Sequence, residues 1–226
     1  MFAVLRDRFG PAPAVTDLTV EPLSTDRLAM AAATLARAFA TNPLNLAAFG
    51  PGTVRKNDAF FSVILRALKG PKLIAISAAR IVGVIHWVDA PACQFSIRER
   101  LRLTPSLIRG VGLVSALRVV SWTSTWSRHD PVEPHVHLGP IGVESECQGR
   151  GIGKALMDHY CAALLGSGAA GYLETDRPEN VGFYERFGFA VVEELEILGV
   201  TNYLMARESP AARQTPLVAG PPLRAR

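Results

Sequence analysis

Between an apolar stretch (residues 136–143) and a helix-patterned segment (155–165) the chain reads Gln148-Gly149-Arg150-Gly151-Ile152-Gly153-Lys154. A glycine-rich turn between strand and helix points several backbone N–H groups into one concavity. The helix dipole reinforces them, so the turn suits a phosphate or pyrophosphate. Glycine matters because a side chain would block the ligand or forbid positive φ. Two nucleotide motifs fail here. A Walker A loop needs a glycine where Gln148 stands and a hydroxyl where Ala155 stands. The dinucleotide fingerprint, framed from Gly149, needs a glycine at Lys154. Arg150 and Lys154 can add charge near phosphates, although Lys154 reads equally as an ordinary solvated helix lysine.

A second group of residues follows. A short strand, Gly171-Tyr172-Leu173-Glu174-Thr175, leads into Arg177-Pro178-Glu179-Asn180-Val181-Gly182-Phe183-Tyr184-Glu185-Arg186-Phe187-Gly188-Phe189. Pro178 suits a first helical turn, where its missing N–H costs nothing. Asn180 and Tyr184 lie four apart and share one helix face. Gly188 is placed to end that helix, with Phe187 and Phe189 buried on either side. Glu174 has two readings: a base or binding group for an amine, or a carboxylate in a structural hydrogen bond.

With Gln148, Gly151 and Gly153 read as Q/R-x-x-G-x-G/A, and with this strand–helix–strand unit after it, the chain resembles the GCN5-related N-acetyltransferases (GNAT). The resemblance is specific over residues 136–192. Leu-Glu-Thr, Pro-x-Asn and Tyr-Glu-Arg-x-Gly-Phe are most similar to the puromycin N-acetyltransferase-like branch. The resemblance implies an α+β, three-layer fold: a mixed, mostly antiparallel sheet of six to seven strands flanked by helices. It implies that residues 148–154 (Gln148, Gly149, Arg150, Gly151, Ile152, Gly153 and Lys154) grip the pyrophosphate of acetyl-coenzyme A, and that Asn180 contacts this cosubstrate. Tyr184 would be the general acid at the thioester sulfur. Backbone groups of Ile141 and Val143 would pair with the pantetheine arm where two strands splay apart. Gly139, Pro140 and Gly142 agree, being a composition suited to a bulge or to strand separation.

The implied reaction is direct acetyl transfer to a primary amine on a small molecule, antibiotic-like amines included. A protein N-terminal or lysine acetyltransferase, or a non-catalytic acyl-coenzyme A sensor, are the alternatives. Dimers are frequent in the family, so a homodimer is an implied state without a located interface. Glu144, Glu146, His135 and His137 read as solvated side chains. Cys147 lacks a His-Asp partner for a nucleophilic role. Cys93, Cys147 and Cys161 show no metal-ligand spacing, so no metal is expected.

The elements that must position these residues follow from pattern. A strand is expected at 15–23, then a helix at 27–40 capped by Thr25-Asp26 and ended by Asn42-Pro43. A second helix is expected at 56–68, then a hairpin of 72–77 and 81–88 turning near Ala78-Ala79-Arg80. Residues 90–135 form a variable, mainly helical insert that either covers the acceptor site or simply packs on the sheet. One domain is expected over 14–208, with a loose N-terminus at 1–13 and a disordered basic tail at 209–226.

At 226 residues, 49% hydrophobic and 19% charged, the chain can bury a full core. Residues 1–13 lack a basic-then-apolar pattern, and Arg109 and Arg118 interrupt the most apolar stretch (107–126), so neither signal peptide nor membrane span is expected. A cytoplasmic setting is the simplest reading. The net charge of +4 is mild, although residues 98–128 hold six arginines against Glu99. That excess is either a solvated face or a field for anionic partners. No nucleic-acid-binding motif is present.

Overall fold

In a computed structural model, residues 17–209 are described; the expectations for 1–13 and for 210–226 lie outside them, as does the start of the first expected strand. One seven-stranded sheet carries the fold, in the order β1-β2-β3-β4-β5-β7-β6. Its strands are β1 (Thr19–Pro22), β2 (Lys72–Ser77), β3 (Arg80–Asp89), β4 (His135–Val143), β5 (Ala170–Thr175), β6 (Ala190–Ile197) and β7 (Val200–Arg207). Every neighbouring pair is antiparallel except β4 and β5.

Alternation along the strands feeds two cores, one per face. Ile74 and Val84 point to one side, with α1 (Leu28–Ala38), α2 (Pro43–Phe49), α3 (Val54–Ala67), α4 (Ile97–Val111) and α5 (Leu113–His129). Ala75 and Ile85 point to the other, against α6 (Ile152–Ser167) and α7 (Pro178–Glu185). The helical insert is two helices because Gly112 takes φ +85° between them. Ser96 and Glu99 start α4 with a reciprocal capping box. Among the described residues, no helix is long and apolar enough to cross a membrane.

Two expectations are corrected. Thr25 and Asp26 lie in a 3₁₀ turn, and α1 begins without a side-chain cap. Asn42-Pro43 does end the first helical segment, but it also starts α2: Asn42 Oδ1 accepts from Asn45 N at 3.1 Å, and Pro43 occupies the first turn. The hairpin turn falls where expected, with Ala78 and Ala79 at φ +49° and +59°.

β4 is the element that shapes the site. It pairs with β5 over His135–His137 only, while residues 138–143 pair with β3 alone. The two strands therefore diverge like an opening V. Opposite His86, the β3–β4 register slips, so that Trp87 faces Leu138 and Ile85 faces Ile141. Gly139 and Pro140 occupy this bulge, where proline's missing N–H leaves no ladder bond unmade. A Cβ on Gly139 would fall 2.2 Å from His86 Nδ1, so close approach of the ring demands glycine.

Candidate active site

The V between β4 and β5 opens into a cleft of about 670 Å³. One wall is β4 at Ile141, Gly142 and Val143; the floor is the glycine loop with the first turn of α6. The opposite wall is α7, through Asn180, Phe183 and Tyr184. Residues 38–42 close the third side, and Arg177 bridges across by donating to Thr41 O at 2.7 Å and Thr41 Oγ1 at 2.6 Å.

The loop has the geometry of an anion cradle. Gly149 and Gly151 take φ +75° and +83°, and a Cβ on either would point into open space. Gly151 is also the N-cap of α6, a 16-residue helix without a side-chain cap. The first-turn N–H groups, through Lys154, thus have no acceptor inside the helix. They converge where the dipole favours negative charge. Tyr160, donating to Val136 O at 2.8 Å, pins α6 onto β4.

Nearly all the expected site residues meet here. Ile141, Val143, Gln148, Gly149, Gly151, Ile152, Gly153, Lys154, Asn180 and Tyr184 all line the cleft. Gln148 folds back to donate to Val143 O at 3.1 Å, and Lys154 sits at the lip, paired with Asp158 at 2.8 Å. Asn180 donates to Thr175 Oγ1 at 3.2 Å, which ties α7 to the end of β5. Tyr184 is buried, and that burial, with the Asp176 charge behind it, lifts its phenol above the ordinary value. It is therefore a protonated donor at neutral pH.

Two residues stand elsewhere. Arg150 is off the cleft walls, its guanidinium donating to Glu146 O at 2.8 Å. Glu174 lies just beyond the last β4–β5 pair, on the far face of β5 from Leu173. There it is buried and accepts from His137 Nε2 at 3.0 Å. None of the six insert arginines lines the cleft; Arg100, for example, donates to Phe95 O and ties α4 to Ser124 and Ser127 of α5.

Several contributors escaped the sequence reading. Glu144, expected to be solvated, is buried and held by Arg37, whose Nε lies 2.9 and 3.1 Å from its two oxygens. This pair fixes the exit of β4 against α1. Asp176 accepts from Asn42 Nδ2 at 2.7 Å and Leu44 N at 2.6 Å, locking the third side of the cleft to β5. Asn45 and Asn57 continue that buried chain to Ala36 O. His135 and His137, also expected to be solvated, are withdrawn from water, their side chains 2% and 17% exposed.

With this geometry established, similarity to known proteins is informative. Residues 99–189, which span the loop, β5 and α7, match the Acetyltransferase (GNAT) family. A Corynebacterium glutamicum structure, described as histone acetyltransferase HPA2 and related acetyltransferase, superposes with TM-score 0.65 at 23% identity, covering 85% of this chain and 96% of that one. Arylalkylamine N-acetyltransferase 2 from Aedes aegypti gives TM-score 0.60 at 16% identity, covering 85% and 99%. Serotonin N-acetyltransferase 2, chloroplastic, of Oryza sativa subsp. japonica is 43% identical over 51 residues, 23% of this chain and 26% of that protein. The chain thus matches about a quarter of that relative's length. The fold is the GNAT fold, and the segment carrying the loop and the Asn180–Tyr184 helix is similar to the GNAT acetyltransferases.

Proposed function

We propose that this protein transfers the acetyl group of acetyl-coenzyme A directly to a primary amine on a small molecule. One observation carries the reading: a parallel strand pair that ends after three residues and opens onto a glycine-built helix N-terminus, with a buried tyrosine on the facing wall. Bound acetyl-coenzyme A would supply an activated thioester carbonyl. The loop N–H groups and the α6 dipole would hold its pyrophosphate, and the open room at Gly149 and Gly151 fits that group. The unpaired edge of β4 at Ile141 and Val143 would hydrogen-bond the pantetheine amides as a missing strand would. Tyr184 would donate its phenolic proton to the sulfur as the C–S bond breaks, and would recover one from the amine that has attacked. Glu174, at the apex of the V, would hold His137 in place behind the amine side.

A small amine is favoured over an extended peptide because α4 and α5 cover the sheet face onto which Glu174 points. The names of the rice and mosquito relatives point the same way. Arylalkylamines and aminonucleosides of the puromycin type are the acceptors to try first. The setting we propose is the reducing cytoplasm, with Cys93, Cys147 and Cys161 all free.

The test is thiol release from acetyl-coenzyme A by the purified protein with arylalkylamines, polyamines, an aminonucleoside and N-terminal peptides, run beside Tyr184→Phe. The expected result is turnover on one amine class, falling about 10²–10⁴-fold in Tyr184→Phe with cosubstrate affinity retained. Tight binding without release on any amine would identify a sensor instead. Release on peptides alone would identify a protein acetyltransferase.

A further inference from the structure

Behind the apex of the V, on the face that carries Glu174, four side chains from three separate segments converge. They are Cys93 from the loop after β3, Asp130 from the end of α5, and His135 and His137 from β4. One donor atom of each lies within 4.8 Å of the others. We propose that this group binds one Zn²⁺ ion, with Cys93 Sγ, an Asp130 oxygen, His135 Nε2 and His137 Nδ1 as ligands.

The ring nitrogens decide the matter. His135 Nδ1 lies 2.8 Å from Glu133 O, and a carbonyl can only accept, so Nδ1 carries the proton. His137 Nε2 lies 3.0 Å from a Glu174 carboxylate oxygen and its Nδ1 lies 3.2 Å from Asp130 Oδ1, so an ion that displaced the Nδ1 proton would leave the ring's remaining proton on Nε2, held by Glu174. With both rings neutral, His135 Nε2 and His137 Nδ1 would each present a lone pair, and both nitrogens lie 3.2 Å from the same oxygen, Asp130 Oδ1. An imidazole that gives its second N–H to a carboxylate or backbone carbonyl is the usual arrangement of a metal-bound histidine. His135 Nε2 is also buried without a hydrogen-bond partner, although Asp130 Oδ1 lies 3.2 Å away, off the donor line. A buried acceptor of this kind is costly unless something fills its lone pair.

Spacing and charge agree. A tetrahedral ion with bonds of about 2.0–2.3 Å holds its donors roughly 3.3–3.7 Å apart. Asp130 Oδ1 is 3.2 Å from each imidazole nitrogen, and Cys93 Sγ is 3.2 Å from Asp130 Oδ2, so only small movements are needed. A thiolate, a carboxylate and two neutral imidazoles neutralise a divalent ion, and the mixed S, O and N set suits borderline-soft Zn²⁺. The ion would fasten both ends of the helical insert to β4, directly under the point where the strands part. Glu174 would then orient His137 as a positioning residue, and its carboxylate would not be free to take a proton from the amine.

Protons are the competing occupants. Burial alone would lower His135, but the Asp130 carboxylate outweighs it and lifts the group to about 9 in the ion-free protein. The two states are separable by experiment on the full chain. Elemental analysis of the purified protein, and titration of the chelator-stripped protein with Zn²⁺ alone, should give one ion per chain. Titration should also release protons and raise Tm. Co²⁺ should give the intense visible bands of a four-coordinate ion and a thiolate charge-transfer band in the near ultraviolet. Cys93→Ser should abolish that band, Cys161→Ser should preserve it, and Glu174→Gln should weaken Zn²⁺ about 10–100-fold while leaving the spectrum intact. Failure of the wild-type protein to take up either ion would overturn the site in favour of a charged histidine–carboxylate network. A cobalt spectrum unchanged by Cys93→Ser would overturn it equally.

Discussion

Gly151→Ala tests whether the loop conformation itself binds the anion. Gly151 sits at φ +83°, ψ −4°, a left-handed geometry that costs an L-residue about 1–2 kcal/mol. Nothing lies within 4 Å of the added Cβ, so no clash enlarges that cost. The alanine loop either keeps its shape under strain or relaxes and must be bent back when ligand arrives. In the second case the strain appears as lost affinity, and 1–2 kcal/mol corresponds to roughly a 5–30-fold rise in Kd. Gly153→Ala is the control. Its Cβ would meet Phe183 Cζ at 3.5 Å, an ordinary contact, at a position without positive φ. Alanine there even gains up to about 1 kcal/mol of helix propensity. Calorimetric titration with acetyl-coenzyme A, paired with thermal unfolding, should show weakened binding in Gly151→Ala and near wild-type binding in Gly153→Ala. A Gly151→Ala protein that binds as tightly as wild type, or a reversed order of the two variants, would refute the backbone cradle.

Two further predictions concern the bulge in β4. Gly139→Ala places a Cβ 2.2 Å from His86 Nδ1 in a packed interior and should destabilise by about 1–3 kcal/mol in denaturant unfolding. Adding His86→Ala removes the ring, so the double variant should be less damaged than the two single effects combined; strict additivity would refute the contact. His86 also sets a pH response. It donates from Nε2 to Lys69 O, its Nδ1 is buried without a partner, and burial lowers its pKa to about 4, with Lys72 and His137 adding repulsion. Between that value and the ordinary 6.5 the unfolded chain binds the extra proton and the folded one does not. The contribution of His86 is therefore complete above 6.5 and is lost as pH falls toward 4, by about 3 kcal/mol in all. Unfolding free energies measured across that range should show a steeper fall for wild type than for His86→Gln; parallel curves would refute it.

What the sequence disclosed and what it hid separate along a physical line. Gly149, Gly151 and Gly153 announced the loop geometry because main-chain N–H groups make it, and the residues that shape a main chain are its immediate neighbours. Gly139-Pro140 announced the parting of β4 and β5 for the same reason, since a bulge is a local event. The reading failed where side chains from remote segments complete one another. Asn42-Pro43 looked like a stop because nothing nearby showed that Asp176 would accept from Asn42 and Leu44 and so sustain a short helix there. His135 and His137 carried a local signal, two imidazoles on one face of a strand at a period of two, but Cys93 and Asp130 reach them only through the fold. Glu174 shows the consequence most sharply: in sequence it read equally as a group for the amine or as a carboxylate in a structural hydrogen bond, and only the fold shows one oxygen given to His137. A coenzyme A site built from backbone, as proposed, would be written locally. In the proposed reaction the amine would meet side chains on the insert face, drawn from distant segments that no window of sequence contains.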